Sequence, residues 1–326
     1  MDEVSFLQDN ADKWEQFERL LGDDEVDPDR LADLYVELTD DLAYAQTFYP
    51  NSDATRYLND LASRAHRTVY QTRAETWHRM VTFWSDEVPR ALASARTEVV
   101  VSLMVFLLAV GVGTLSAAYD PGFIRLILGD AYVNGTLAAI EKGDPMAVYK
   151  EAHQVPMFLG IALNNIRVAF YAFAAGVLCS VGTAAVLIQN GIMLGAFHYL
   201  FYEYGLLSRS LLVVYIHGTL EIAAIVIAGA AGFVLGNGLL FPGSYPRLTS
   251  FRRSAKRGLK IVIGLVPVFA AAAFLEGFVT RYTHMPVALS FAIIGISLVF
   301  VVGYFVLYPA FIEVDTSPSG PLTSSP

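Results

Sequence analysis

The chain is 326 residues long, 55% hydrophobic and only 16% charged, with a mean hydropathy of +0.47, whereas soluble domains average about 25% charged residues. The charge is unevenly spread: residues 1–98 hold 21 of the 31 acidic side chains but 10 of the 22 basic ones, so an acidic head precedes an apolar, slightly basic body. This composition excludes disorder, collagen, a coiled-coil rod and a disulfide scaffold, and the acidic balance argues against a nucleic-acid partner. What remains is an all-α, polytopic membrane protein with an N-terminal soluble helical hairpin or three-helix domain.

The head is assigned to residues 1–98. Phe6, Leu7, Trp14, Phe17, Leu20 and Leu21 mark an amphipathic helix over residues 3–21, ended by Gly22 and the acidic run 23–27. Asp27 before Pro28 reads as an N-cap followed by proline at the first helical position. Leu31, Leu34, Tyr35, Leu38, Leu42 and Ala45 then recur at helical spacing. Tyr49 and Pro50 stop that helix, and Ser52 or Asp53 caps a third with the stripe Leu58, Leu61, Ala65, Val69, Thr72 and Thr76. Trp77, Met80, Val81, Phe83 and Trp84, interleaved with arginines, suit a helix lying at the headgroup layer; the alternative is a bundle core that continues to its end. No basic, apolar leader opens the chain, so the first span is expected to direct insertion itself.

The membrane domain is assigned to residues 99–310. Residues 99–118 carry no charge and are long enough to cross a bilayer. Residues 119–165, interrupted by Pro121, Pro145 and Pro156, read as an external amphipathic segment. Further apolar stretches follow at 166–188, 191–202, 211–241, 259–280 and 287–308, with a helix break expected at Gln189, Asn190 and Gly191. Arg247, Arg252, Arg253, Lys256, Arg257 and Lys260 make residues 242–260 a basic loop, placed in the cytoplasm by the positive-inside rule. With the head also inside, parity favours six spans; five is the competitor if residues 191–204 re-enter instead of crossing. Both termini are then cytoplasmic in a multi-pass protein of the cell (inner) membrane. Residues 311–326, rich in Ser, Pro and Thr, read as a disordered tail.

Ionisable groups inside a span are functional suspects, since a charge near the bilayer centre costs roughly 2.5–3.5 kcal/mol even on insertion scales. His217 and Glu221 lie four residues apart and share one helix face. Asn164, Asn165, Arg167, Asn190, His198, Glu203 and Glu276 are the other polar candidates. The pair could hold a proton, fix helix packing as a buried clamp, or contribute to a metal site that His198, Glu203 or Glu276 would have to complete. Two ligands are too few for a closed zinc site, so no metal is assigned, and no cofactor. Gly191 with Gly195, and Gly232 with Gly236, have the GxxxG spacing of close helix packing, internal or in a homodimer seam. Cys179 stands alone in an apolar stretch. No Walker, dinucleotide, HExxH or GxSxG pattern occurs, so no catalytic residue is assigned and an enzyme is not expected.

Asn164–Asn165, Gly176, Gly182–Thr183, Gln189–Asn190–Gly191 with Gly195, the run from His217 to Ile222 and Gly229, Gly232 and Gly236 together resemble the stage II sporulation protein M (SpoIIM) family. Residues 31–57 are similar to the head of its non-sporulating bacterial members. The resemblance implies a multispanning membrane protein. In spore formers the named member works with cell-wall hydrolases during engulfment, and longer relatives are often associated with ATPase-containing proteins. A scaffold or anchor for a cell-envelope remodelling complex is therefore expected, with membrane lipid and an envelope hydrolase or ATPase-containing complex as partners. An ion-coupled permease or channel using His217 and Glu221 is the alternative reading, and a metal-dependent membrane hydrolase the third.

Overall fold

The computed structural model describes residues 3–21, 28–70, 77–147, 154–282 and 285–312. The chain divides into two compact units, residues 1–80 and 81–326. The described residues form helices and no strands.

The first unit contains α1 (Glu3–Leu21), α2 (Pro28–Phe48) and α3 (Asp53–Tyr70). Their apolar faces meet in a core of Phe6, Trp14, Phe17, Leu38, Ala45, Leu58, Leu61 and Ala65. The turn into α3 is capped by Ser52, whose Oγ accepts from the Thr55 amide at 3.1 Å, while the Thr55 hydroxyl donates to Tyr49 O at 2.7 Å. Trp14 Nε1 donates to Asp41 at 2.8 Å, so the largest core side chain keeps its polar edge satisfied. Glu18 accepts from Arg64 and from the Tyr57 hydroxyl, which together hold its carboxyl below the usual range. The expected cap at Asp27, and Thr72 and Thr76 of the α3 stripe, lie outside the described residues.

The division falls within α4 (Trp77–Thr82), which is followed by a π-helical turn, Phe83–Glu87, and α5 (Val88–Ala93) in the second unit. The aromatic segment is bonded to spans five and six. Trp84 Nε1 donates to Gly264 O at 3.2 Å, and Tyr304 and Tyr308 donate to the carbonyls of Trp84 and Ser85 at 2.5 and 2.8 Å. Val88 fills the space left by the missing side chain of Gly264.

Among the described residues six helices are long and apolar enough to span a membrane: α6 (Arg96–Tyr119); α9 (Gln154–Ala174), which a short 3-10 turn extends to Val177; α10 (Val181–Glu203); α11 (Leu207–Leu240); α12 (Arg247–Phe274), extended to Val279 by a π turn; and α13 (Val287–Phe300), extended to Ala310. Between α6 and α9 lie two shorter helices, α7 (Pro121–Leu128) and α8 (Asp130–Glu141), bent by 113° about Gly129, whose φ is +82°. Asp120 caps α7 by accepting from the Gly122 amide at 2.8 Å. Large apolar side chains such as Leu108, Leu115, Ile296 and Val299 face outward, as lipid contact requires.

Three boundaries differ from the sequence reading. The second span starts at Gln154 instead of residue 166, because Pro156 falls in the first helical turn, where proline costs no hydrogen bond. The break between spans two and three falls at Cys179 and Ser180, both in the left-handed region with φ of 50° and 68°, instead of at residues 189–191. Asn190 instead stays helical and donates to Val186 O at 2.8 Å, so residues 191–203 complete a full-length span. The basic stretch is also helical from Arg247 onward, leaving only residues 241–246 as the connection.

The centre of the bundle is α11. In its most apolar stretch 61% of residues are buried, against 17% for the last span. Small residues make this possible. A side chain at Gly232 would meet Thr183 Oγ1 at 2.3 Å and Ala172 O at 2.4 Å; one at Gly236 would meet Ser180 Oγ at 2.1 Å. Gly191 and Gly195 face span one: a side chain at Gly191 would meet Phe106 O at 2.8 Å, and one at Gly195 would run into Val110 O. Both glycine pairs therefore pack within the chain. Gly232→Ala should destabilise the detergent-solubilised protein by about 1–3 kcal/mol. Gly111→Ala, with nothing within 4 Å of the added carbon, should not lower the melting temperature. Equal melting of the two variants would refute this packing.

Candidate functional site: a polar cluster across three spans

The cluster begins with helical spacing on α11. His217 and Glu221 sit one turn apart, ten and fourteen residues after the helix start at Leu207. Each finds its partner on a different neighbouring helix. Glu221 accepts a hydrogen bond from Asn165 Nδ2 on α9. His217, only 4% exposed, has Nδ1 3.1 Å from Thr280 Oγ1 and Nε2 3.8 Å from Glu276 Oε2, both at the end of span five.

The π turn Leu275–Val279 makes the second arrangement possible. It widens the helix so that the Thr280 amide bonds Leu275 O at 2.8 Å, five residues back, and the Thr280 hydroxyl donates to the same carbonyl at 3.1 Å. With its proton directed there, the hydroxyl accepts from Nδ1–H of His217. The imidazole is thereby oriented with Nε2 toward Glu276. One ligand-type atom from each of His217, Glu221 and Glu276 lies within 4.8 Å of the others. Thr280 also lines a cavity of about 340 Å³ with Arg209, Val213, Ile216, Tyr282 and Ser290.

Spans four and five run antiparallel, so the start of α11 and the end of α12 share one end of the bundle. The cluster thus lies in the half of the membrane domain remote from Arg247–Lys260.

The other polar candidates fall elsewhere. Asn164 is exposed beside Asn165, on the outer face of α9. Arg167 donates to the Tyr171 hydroxyl at 2.8 Å and covers that ring, an exposed pairing on the same helix. Asn190 bonds its own helix. His198 Nδ1 lies 2.7 Å from Leu194 O, and its ring is 5.8 Å from that of Tyr215. Glu203 is exposed at the end of α10. Thr280 was missed by the sequence reading, since a five-residue hydrogen bond leaves no trace in a 3.6-residue period.

The chain is thus a multi-pass helical membrane protein with a polar cluster where spans two, four and five meet. The profile of the stage II sporulation protein M family matches residues 102–281, more than half of the chain, and the protein belongs to that family. Residues 4–71 match a domain of unknown function, DUF8413. No curated protein and no solved structure gives a match.

As a clamp the cluster ties α11 to α9 through Glu221–Asn165 and to span five through His217–Thr280. Asn165→Ala removes a donor from the half-buried Glu221 carboxylate, and Thr280→Val removes the hydroxyl that faces His217 Nδ1. Each should cost about 1–2 kcal/mol, read as a lower melting temperature in detergent. Unchanged melting of both variants would reject a clamping role.

Proposed function

We propose that this family member is a non-enzymatic membrane scaffold, anchoring a cell-envelope remodelling complex in the cell membrane. The observation that carries the reading is the pairing of two differently built units. The first is an acidic helical unit with its own core, available as a docking surface. The second is a bundle whose embedded polar groups bond helix to helix. An anchor needs a fixed body and an extramembrane handle, and these two units supply them.

Capture of the full-length protein from native membranes in mild detergent, followed by intact-complex mass determination, tests this. The expected result is co-purification of an envelope hydrolase or an ATPase-containing complex, lost when residues 1–80 are deleted. A homo-oligomer alone, conducting ions in liposomes, would instead support the second reading, an ion-coupled permease or channel. The observation favouring that reading is the gathering of two carboxylates and an imidazole inside the membrane domain.

The orientation we propose keeps the head and the C-terminal segment in the cytoplasm. It is supported by six basic residues, Arg247, Arg252, Arg253, Lys256, Arg257 and Lys260, at the start of span five. The single cysteine reports on it directly, because exposed Cys179 lies in the turn joining spans two and three. In this orientation that turn is cytoplasmic. A membrane-impermeant maleimide should label Cys179 in inside-out vesicles and spare it in intact cells. The reverse pattern would invert the topology.

A further inference from the structure

We propose that His217, Glu221 and Glu276 bind one divalent transition-metal cation, a role that does not depend on the scaffold reading. The ligand atoms already converge. Metal–ligand bonds of about 2.0–2.2 Å place neighbouring tetrahedral ligands about 3.4 Å apart. Here the His217–Glu276 separation is 3.8 Å and the whole set lies within 4.8 Å. Modest side-chain rotation closes the difference, with no movement of a helix.

The outer contacts fit a ligand set as well. A metal-bound imidazole commonly donates its other ring N–H to an oxygen, and a ligating carboxylate is commonly hydrogen-bonded in turn. Thr280 serves His217 in this way, and Asn165 serves Glu221. Nε2 faces Glu276, 3.8 Å from its Oε2.

Charge balance is the third argument. Two carboxylates beside a neutral imidazole carry a charge of −2, which is costly in an apolar bundle. One divalent cation cancels it. The imidazole favours a first-row transition ion such as Zn²⁺ or Co²⁺ over Mg²⁺ or Ca²⁺, which prefer all-oxygen sites. Three protein ligands leave a coordination position for water.

Two protons would satisfy the same charge balance, and the test separates the two. The probe is Co²⁺, added to tag-free, chelator-stripped, full-length protein in detergent. The expected result is one bound Co²⁺ per chain, with the visible absorption of a nitrogen- and oxygen-ligated site. Affinity should fall at least tenfold in Glu221→Gln and Glu276→Gln. Asn165→Ala, which removes only the outer contact, should weaken binding by about 10–100-fold. Uptake by the unsubstituted protein no greater than by the His217→Ala/Glu276→Gln double variant would overturn the proposal. So that a misfolded variant cannot decide the matter, the unsubstituted protein is also melted with and without Co²⁺. Its melting temperature should rise with Co²⁺ concentration, and a flat response would likewise overturn the site.

Discussion

The arrangement of this membrane domain follows from the cost of placing His217 and Glu221 on the most enclosed helix of the bundle. Lipid offers these groups no hydrogen bonds, so neighbouring helices must supply them. Asn165 on α9 answers Glu221, and Thr280 and Glu276 at the end of span five answer His217. The partners of α11 in this half of the bundle are therefore fixed by chemistry as well as by shape. The π turn at Leu275–Val279 belongs to the same requirement, since it is the local distortion that brings Thr280 back to Leu275 O and its hydroxyl to the imidazole.

Close packing is the second requirement, and it is met by removing side chains. Association between helices in lipid gains little from the hydrophobic effect, so contact must come from interdigitation and short backbone approaches. Gly176 and Gly232 allow α9 and α11 to approach so closely that a side chain on the first would meet the carbonyl of the second at 2.1 Å. Ser102 Oγ donates to Val226 O at 2.6 Å, adding span one to the same helix. The left-handed turn at Cys179 and Ser180 is sterically unfavourable for L-residues, yet it lets spans two and three reverse direction within a few residues and directs Ser180 toward Gly236.

Much of this was legible in the sequence. Apolar stretches, with the parity set by the basic residues at 247–260, favoured six spans over five; apolar periodicity marked the three head helices, and the four-residue spacing put His217 and Glu221 on one face. Glu276 was visible as an acid late in an apolar span, and Asn165 as an amide near the start of another. Their meeting was not visible, because which helices adjoin α11 is a property of the packed bundle. The misplaced breaks have a common cause. Gln189–Asn190–Gly191 has the composition of a turn, but Asn190 satisfies its amide on the preceding helical turn and Gly191 is needed for contact with Phe106 and Ala109. The true turn, at Cys179 and Ser180, contains neither glycine nor proline, so the ordinary signals of chain reversal were absent at the place where it occurs.

The two kinds of contact act at different levels of the same helix. His217 and Gly232 are fifteen residues apart, about 22 Å along α11 at 1.5 Å per residue. At one level the helix is held by hydrogen bonds and facing charges; at the other it is held by glycine contacts with Thr183 and Ala172. A helix gripped at two separated levels resists both tilting and sliding. The two grips do not respond alike to conditions. Glycine packing has no titratable or exchangeable part, whereas the polar level depends on what neutralises Glu221 and Glu276. Substitutions at the polar level should therefore act on one end of the bundle and leave the glycine contacts at the other, beside Arg247–Lys260, in place.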